Sequence, residues 1–266
     1  MKIGCCTNFV AVGKDRTGIE LVEQIAQFGY DYVEMPLAPL AALSDGEFAN
    51  VMRRVEQSGI RCESCSNFFP SSMRLTGPEV DDAKVMAYVE KALARAHAMG
   101  AQYVVFGSGD SKRVPDGFPL EEGYRQVVAL LKKIGLLARA NSVIIVIEPL
   151  RRAECNLINS FAEGCRLAKD AGDENIQMLI DYYHFSEEHD SVRDLIDQGR
   201  GCLHHAHFAR TEGRGYPAGI DEENYLPFIN ALKTLNYNER ISVEGFSSDF
   251  AADAQATLKF MKAYFQ

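Results

Sequence analysis

Short apolar runs alternate with helical patterns along this chain, and that alternation limits what it can fold into more than any other feature. The runs Lys2–Asn8, Tyr30–Met35, Ile60–Asn67, Tyr103–Gly107, Val143–Ile147, Ile176–Tyr182, Leu203–Ala209 and Ile241–Phe246 read as strands. Helical patterns cover Thr17–Phe28, Asp45–Ser58, Pro78–Met99, Leu120–Ala140, Ser160–Ala171, Ser191–Gln198, Asn224–Leu235 and Phe250–Phe265. Gly29, Gly59, Gly100 and Gly172 each follow a helix, where a left-handed residue ends it most easily. Asp45 is expected to cap its helix, and Pro78 to open the next in its first turn. Eight strands alternating with helices, with no linker and no break in composition, predict an α/β fold: a closed (β/α)8 TIM barrel, one domain over residues 1–266. A chain of 266 residues, 47% of them hydrophobic, is ordinary for one such barrel and can bury a large core.

Charge and composition exclude several roles. With 28 basic against 37 acidic residues the net charge is −9, and no basic cluster stands out, so no nucleic-acid partner is expected. No apolar run reaches about 18 residues, so no membrane span is expected. The chain opens on a strand-like segment without a signal-peptide core, and its seven cysteines are scattered without framework spacing. Both points predict a reducing, cytoplasmic location. Cys62 and Cys65 read as plain buried thiols.

The fifth strand points to the chemistry. Five β-branched apolar residues, Val143 to Ile147, predict a strand buried on both faces. It ends in Glu148 and Pro149, and a carboxylate at that lip is costly unless something uses its charge. In a barrel of this kind, reactive groups sit at the C-terminal ends of strands. Strand alternation then puts Ile144, Val146 and Glu148 on one inward face. Leu179 with Asp181, His205 with His207, and Ser242 with Glu244 follow the same rule. Glu148, Asp181, His207 and Glu244 are therefore expected to ring half of the mouth. Three carboxylates and one imidazole suit a hard divalent ion such as Mn²⁺, Mg²⁺ or Co²⁺ better than a thiolate-type zinc site. The ion would offset the repulsion among the acids. His205 is expected as a hydrogen-bonded core residue one layer below His207, with His204 facing outward. Phe9, Phe68 and Phe69 follow the first and third strands, as an apolar wall over a ligand or as a packed lid. Gly107–Asp110 reads as a loop, and Ser247-Ser248-Asp249 as the cap of the last helix.

Four segments carry a resemblance to a known family. Ile147-Glu148-Pro149-Leu150-Arg151-Arg152-Ala153-Glu154, Asp181-Tyr182-Tyr183-His184, His205-Ala206-His207 followed by Arg214, and Ser242-Val243-Glu244-Gly245-Phe246 look like the motifs of the xylose isomerase-like sugar isomerase and epimerase barrels. Within that superfamily the chain most resembles the ketose 3-epimerases of the D-tagatose and D-psicose type. The resemblance implies that Glu148, Asp181, His207 and Glu244 hold a divalent metal ion. It implies that Glu148 and Glu244 are also the catalytic acid/base pair, working through an enediolate. Glu154, His184 and Arg214 match residues that bind substrate oxygens, and Glu34 becomes a candidate for contact with substrate or for a supporting role. A small-molecule sugar substrate and a homo-oligomer, dimer or tetramer, follow from the same likeness. The chain departs from the pattern at Arg151, where the family usually has asparagine; an added cation there would favour an acidic or phosphorylated substrate. The loop Arg210–Pro217 also differs, with Arg214 one residue further on.

Other readings of the same barrel predict different products. An inosose dehydratase-like lyase would use the same metal and base but expel a hydroxyl. A C-glycoside deglycosidase subunit would require a small β-rich partner. An endonuclease IV-like hydrolase would need more histidine ligands and a DNA-binding face, which the acidic balance disfavours.

Overall fold

Each of the eight apolar runs pairs with the next, and the last returns to the first. The strands are β1 (Lys2–Cys6), β2 (Tyr32–Pro36), β3 (Cys62–Ser66), β4 (Tyr103–Phe106), β5 (Ile144–Ile147), β6 (Ile176–Asp181), β7 (Leu203–Phe208) and β8 (Arg240–Val243). All neighbours are parallel, and β8 closes on β1 through Lys2 opposite Arg240 and Cys5 opposite Val243. The expected (β/α)8 barrel is the fold of this computed structural model, which describes residues 1–266. The strands are shorter than the apolar runs because flanking residues pack under the connections instead. Tyr30, for example, is buried just before β2 and donates its hydroxyl to the Ala254 carbonyl at 2.7 Å. No helix is long and apolar enough to cross a membrane.

Helix ends follow local chemistry with two differences from expectation. Ser44, not Asp45, caps the helix Asp45–Ser58: its hydroxyl accepts from the Glu47 amide while the Glu47 side chain accepts from the Ser44 amide. Asp45 is free to pair with Arg95 at 3.0 Å. Pro78 lies ahead of its helix, which runs Asp82–Met99 under an Asp81 cap. Three short helices were not read from sequence: Leu37–Ala42, Gly109–Lys112 and Tyr182–Glu187, which follow β2, β4 and β6 at the rim. The second turns part of the expected loop at Gly107–Asp110 into a helical turn. Asp249 does cap the last helix, accepting from the Ala252 amide.

The main core of 67 residues fills the shell between strands and helices, whereas only Tyr103, Val105, Val146 and Leu179 form a separate apolar cluster. That small cluster comes from β4 to β6 and includes the inward residues expected there. Across the lumen the filling is polar: Tyr32, Glu34, Ser64, His205 and Ser242 are all buried. Gly4 makes this possible, since a Cβ there would stand 2.2 Å from the Tyr32 ring. At the N-terminal end the lumen is closed by Glu63, which accepts from Arg240 Nε at 2.6 Å and from Lys2 Nζ at 2.7 Å. Arg240 also donates to the Gln102 side chain at 2.8 Å.

Candidate active site at the barrel mouth

Register places the four expected ligands at one level. A shift between Met178 and Leu179 sets Asp181 opposite His207, and His207 lies opposite Ser242, two residues before Glu244. Glu148 follows the last residue of β5, and Gly107 leaves it room: a Cβ there would lie 2.0 Å from Glu148 Oε2. Glu148, Asp181, His207 and Glu244 are all buried, with one ligand-type atom from each lying within 4.8 Å of the others. His207 Nδ1 is 3.1 Å from Glu148 Oε1 and 3.2 Å from Glu244 Oε2.

The charges at this mouth do not balance. Arg214 Nη2 donates to Glu244 Oε2 at 2.6 Å and to Asp181 Oδ2 at 3.0 Å, so one guanidinium serves two of the three acids. Burial pushes the Asp181 carboxyl up to about 7; Arg214 opposes this and Glu148 adds to it. Burial also pushes Glu244 up, but His207 and Arg214 outweigh it and hold that carboxyl below its ordinary range. Burial pulls the His207 imidazole down, and Glu34 and Glu244 reverse this, leaving it well above its ordinary value. A single Nδ1 faces two carboxylates and can satisfy only one with a proton. Bonds of roughly 2.0–2.2 Å would put neighbouring ligand atoms about 3 Å apart, which is the spacing His207 Nδ1 makes with both glutamates. The donor set therefore fits a divalent ion, by spacing, by hardness and by the charge left over.

The expected substrate-side residues surround the same cluster. The loop before Arg214 turns through left-handed backbone at Gly213 (φ 64°) and Arg214 itself (φ 48°). The Arg214 guanidinium then lies between the Phe9 and Tyr183 rings, 4.6 and 4.7 Å from their centroids. His184 is buried beside Asp181 (3.6 Å) and Glu154 (3.9 Å). Burial first, then Arg214, keeps its imidazole well below the ordinary value and so neutral. Its Nδ1 accepts from the Arg151 amide at 3.3 Å, so Nε2 carries the proton, and that buried donor has no partner. An unpartnered donor aimed into a site points to a ligand oxygen. Glu154 Oε2 is 3.8 Å from Arg214 Nη1. Phe9 packs against the half-exposed Phe246 at 4.6 Å and makes an apolar lip, whereas Phe68 and Phe69 are buried against Phe106 and form the packed lid.

One expectation changes and two residues are new. Arg151 is not a free cation: it pairs with Glu154 at 2.8 Å and Glu187 at 3.0 Å, with its guanidinium 5.0 Å from the Tyr183 centroid. That removes the charge argument for an acidic substrate. His205 is a core histidine as expected, with Nε2 2.8 Å from Glu34 Oε2. Lys112 carries no signal in the sequence, because its neighbours Asp110, Ser111 and Arg113 are polar. It is fully buried, with Nζ donating to the Glu148 carbonyl at 3.1 Å. Tyr183, stacked by both arginines, carried no signal beyond its place beside His184. A surface cleft of about 670 Å³ beside Cys165, Lys169 and Met178 lies away from this cluster.

Known proteins are similar to this chain in sequence or in fold. The D-psicose 3-epimerase of Agrobacterium fabrum is 25% identical over 239 residues, 85% of this chain and 78% of that protein. A putative hydroxypyruvate isomerase of Drosophila melanogaster is 22% identical over 251 residues, 92% of this chain and 91% of that one. The solved structure of D-psicose 3-epimerase with D-tagatose from Clostridium cellulolyticum H10 superposes with a TM-score of 0.86 at 21% identity, covering 100% of both chains, and shares the fold. Residues 22–264 match the xylose isomerase-like TIM barrel family, and the chain belongs to that family.

Proposed function

We propose that this chain is a divalent-metal-dependent ketose 3-epimerase, exchanging a proton at the carbon beside a sugar carbonyl. The observation that carries the reading is the pair Glu148 and Glu244, held 3.1 and 3.2 Å from the one nitrogen of His207. Two carboxylates brought that close, with Asp181 beside them, can flank a single carbon from opposite sides. Glu148, Asp181, His207 and Glu244 would hold Mn²⁺, Mg²⁺ or Co²⁺. Bound there, a divalent ion would supply the positive charge that lowers the cost of an enediolate. One glutamate takes the proton from carbon 3 of the ketose onto a carboxylate oxygen. The other returns a proton to the opposite face, which inverts that centre. His184 Nε2–H, Arg214 and Glu154 orient the sugar's oxygens, and the Phe9–Phe246 lip meets its apolar edge. Likeness to the D-psicose 3-epimerase of Agrobacterium fabrum supports a free ketose as substrate. On the same reading the protein works in the cytoplasm as a homo-oligomer, dimer or tetramer, and light scattering of the purified chain tests the assembly.

The test is solvent exchange. The chain, loaded with each of the three ions, is incubated in D₂O with D-psicose, D-fructose, D-tagatose and hydroxypyruvate. Deuterium at carbon 3 of both recovered ketose and its epimer is the expected result. Label at carbon 1 with an aldose product means aldose–ketose isomerisation. An unsaturated, ultraviolet-absorbing product means dehydration. No exchange in any sugar, with the ion verified as bound, ends the epimerase reading.

A further inference from the structure

Beneath the mouth, one buried carboxylate touches the candidate ligand His207 from behind. Glu34 lies in β2, where a register shift against β3 between Val33 and Glu34 sets its level. It is fully buried and faces three donors. Its Oε1 is 2.9 Å from His207 Nε2, and its Oε2 is 2.8 Å from His205 Nε2 and 2.6 Å from the Ser242 hydroxyl. Behind these, the Tyr32 hydroxyl is 2.7 Å from Ser242 Oγ and the Ser64 hydroxyl is 3.3 Å from His205 Nε2. An ionised carboxylate only accepts, so the nitrogens that face it carry the protons. By the same rule His207 Nδ1 is protonated too while no ion is bound; an ion at the mouth displaces that proton, and with Nε2–H kept by Glu34 the lone pair falls on Nδ1. On His207, Nδ1 is the atom turned toward Glu148 and Glu244.

We propose that Glu34 is a positioning residue that sets the metal affinity of the mouth. It holds the His207 Nε2–H, fixes the ring's orientation, and leaves the Nδ1 lone pair aimed at the ion. This rests on the ligand role proposed above for His207. Glu34, His205 and His207 are themselves close enough to hold an ion. Against that, both Glu34 oxygens are already engaged and all three residues are fully buried, so no coordination position is open to water or sugar. The trio acts as a hydrogen-bonded clamp. Ring orientation by a carboxylate behind a metal-bound histidine is typically worth 10–100-fold in affinity.

Two measurements on the full chain test it. The first uses the native protein loaded with diamagnetic Zn²⁺. Long-range ¹H–¹⁵N correlations should show His207 protonated at Nε2 and bound through Nδ1, with one ion per chain. Binding through Nε2, or two ions per chain, overturns the clamp. The second is Co²⁺ titration followed by its visible spectrum. Glu34→Gln, whose amide cannot accept from both histidines at once, should bind Co²⁺ roughly 10–100-fold more weakly, and Glu34→Asp should recover part of the loss. Affinity in Glu34→Gln within about twofold of native overturns the clamp alone. Failure of the native chain to bind either ion overturns both the clamp and the metal reading on which it stands. If Glu34→Gln does not fold, the native measurement decides.

Discussion

The two ends of the barrel bury carboxylates in opposite ways. At the N-terminal end, Glu63 sits between Arg240 and Lys2, with the Tyr103 ring 5.1 Å from the Arg240 guanidinium. Burial pushes Glu63 up, but its hydrogen bonds from Lys2 and Arg240 outweigh that and keep it below the ordinary carboxylate range. At the mouth, Glu148, Asp181 and Glu244 share one guanidinium and one imidazole, and Asp181 rises to about 7. Asp181 and Glu244 also lie deeper than Glu63, and that burial is the first cause of the rise at Asp181. The second difference is the number of cations the chain itself provides. A closed set of partners holds strands together, while an open one keeps a site ready for a charge from outside.

The sharpest way to break this comparison is to remove the open acids. Glu148→Gln and Glu244→Gln keep shape and lose the base. Each should lower kcat by at least roughly 10²–10⁴-fold, with thermal stability of the metal-free protein unchanged or higher. The assay is initial rate of ketose epimerisation with saturating metal. Full activity in both variants would end the two-glutamate mechanism.

The opposite response is expected at the other end. Glu63→Gln leaves Arg240 buried without its carboxylate and should cost about 3 kcal/mol, seen in denaturant melts. Because Glu63 lies far below the mouth, kcat/KM should stay within about twofold of native. A variant that keeps its stability but loses turnover would show that the two ends are not separate devices.

This division was only partly legible in the sequence. Period-two alternation could place Glu148, Asp181, His207 and Glu244 on inward faces, because each continues the inward positions of its strand, apolar at Val146 and Leu179 and polar at His205 and Ser242. The same rule gave His205 its place below His207. It could not give Lys112, whose neighbours are polar although the residue is fully buried. Nor could it show that Arg151 is paired, since Glu187, one of its partners, comes from a rim helix that periodicity did not reveal. Ser44 was passed over as a cap because Asp45 is as good a capping residue, and only the reciprocal Glu47 bond separates them. Strand faces have a period to read, whereas loop pairings depend on tertiary approach.

Acidity should separate the two ends by sign. The Asp181 carboxyl is raised from 3.8 to about 7 in the folded, metal-free protein. Its contribution is therefore fully present below about 4 and is lost as pH rises through about 7. Glu63 is lowered, so its contribution is present above the unfolded value and is lost as pH falls through its folded one. Between pH 5 and 8 the metal-free protein should lose stability from the mouth, on the order of 1 kcal/mol, while Glu63 contributes no slope. An ion that takes the proton's place should reverse this, so the stabilisation by Mn²⁺ should grow across the same range. Melts with chelator and with Mn²⁺ at both pH values measure it. A metal-induced gain that shrinks with rising pH would contradict the charge count at the mouth.

The smallest effect is expected where the mouth's charges are already paired. Arg151 binds Glu154 and Glu187 at the rim, with about a third of each side chain exposed. Pairs of that kind contribute roughly 0–1 kcal/mol. Arg151→Asn should loosen Glu154 and raise KM for a free ketose by less than about fivefold, with kcat unchanged. Its real use is to decide what the added cation is for. If Arg151 only steadies Glu154, the variant should treat a ketose and its phosphate ester alike in relative terms. If it instead reads a phosphate, KM should rise for the ester alone, and the pairing with Glu154 and Glu187 would have to open when substrate binds. Steady-state kinetics on the two substrates, native against variant, separates a rim that merely neutralises itself from one that selects by charge.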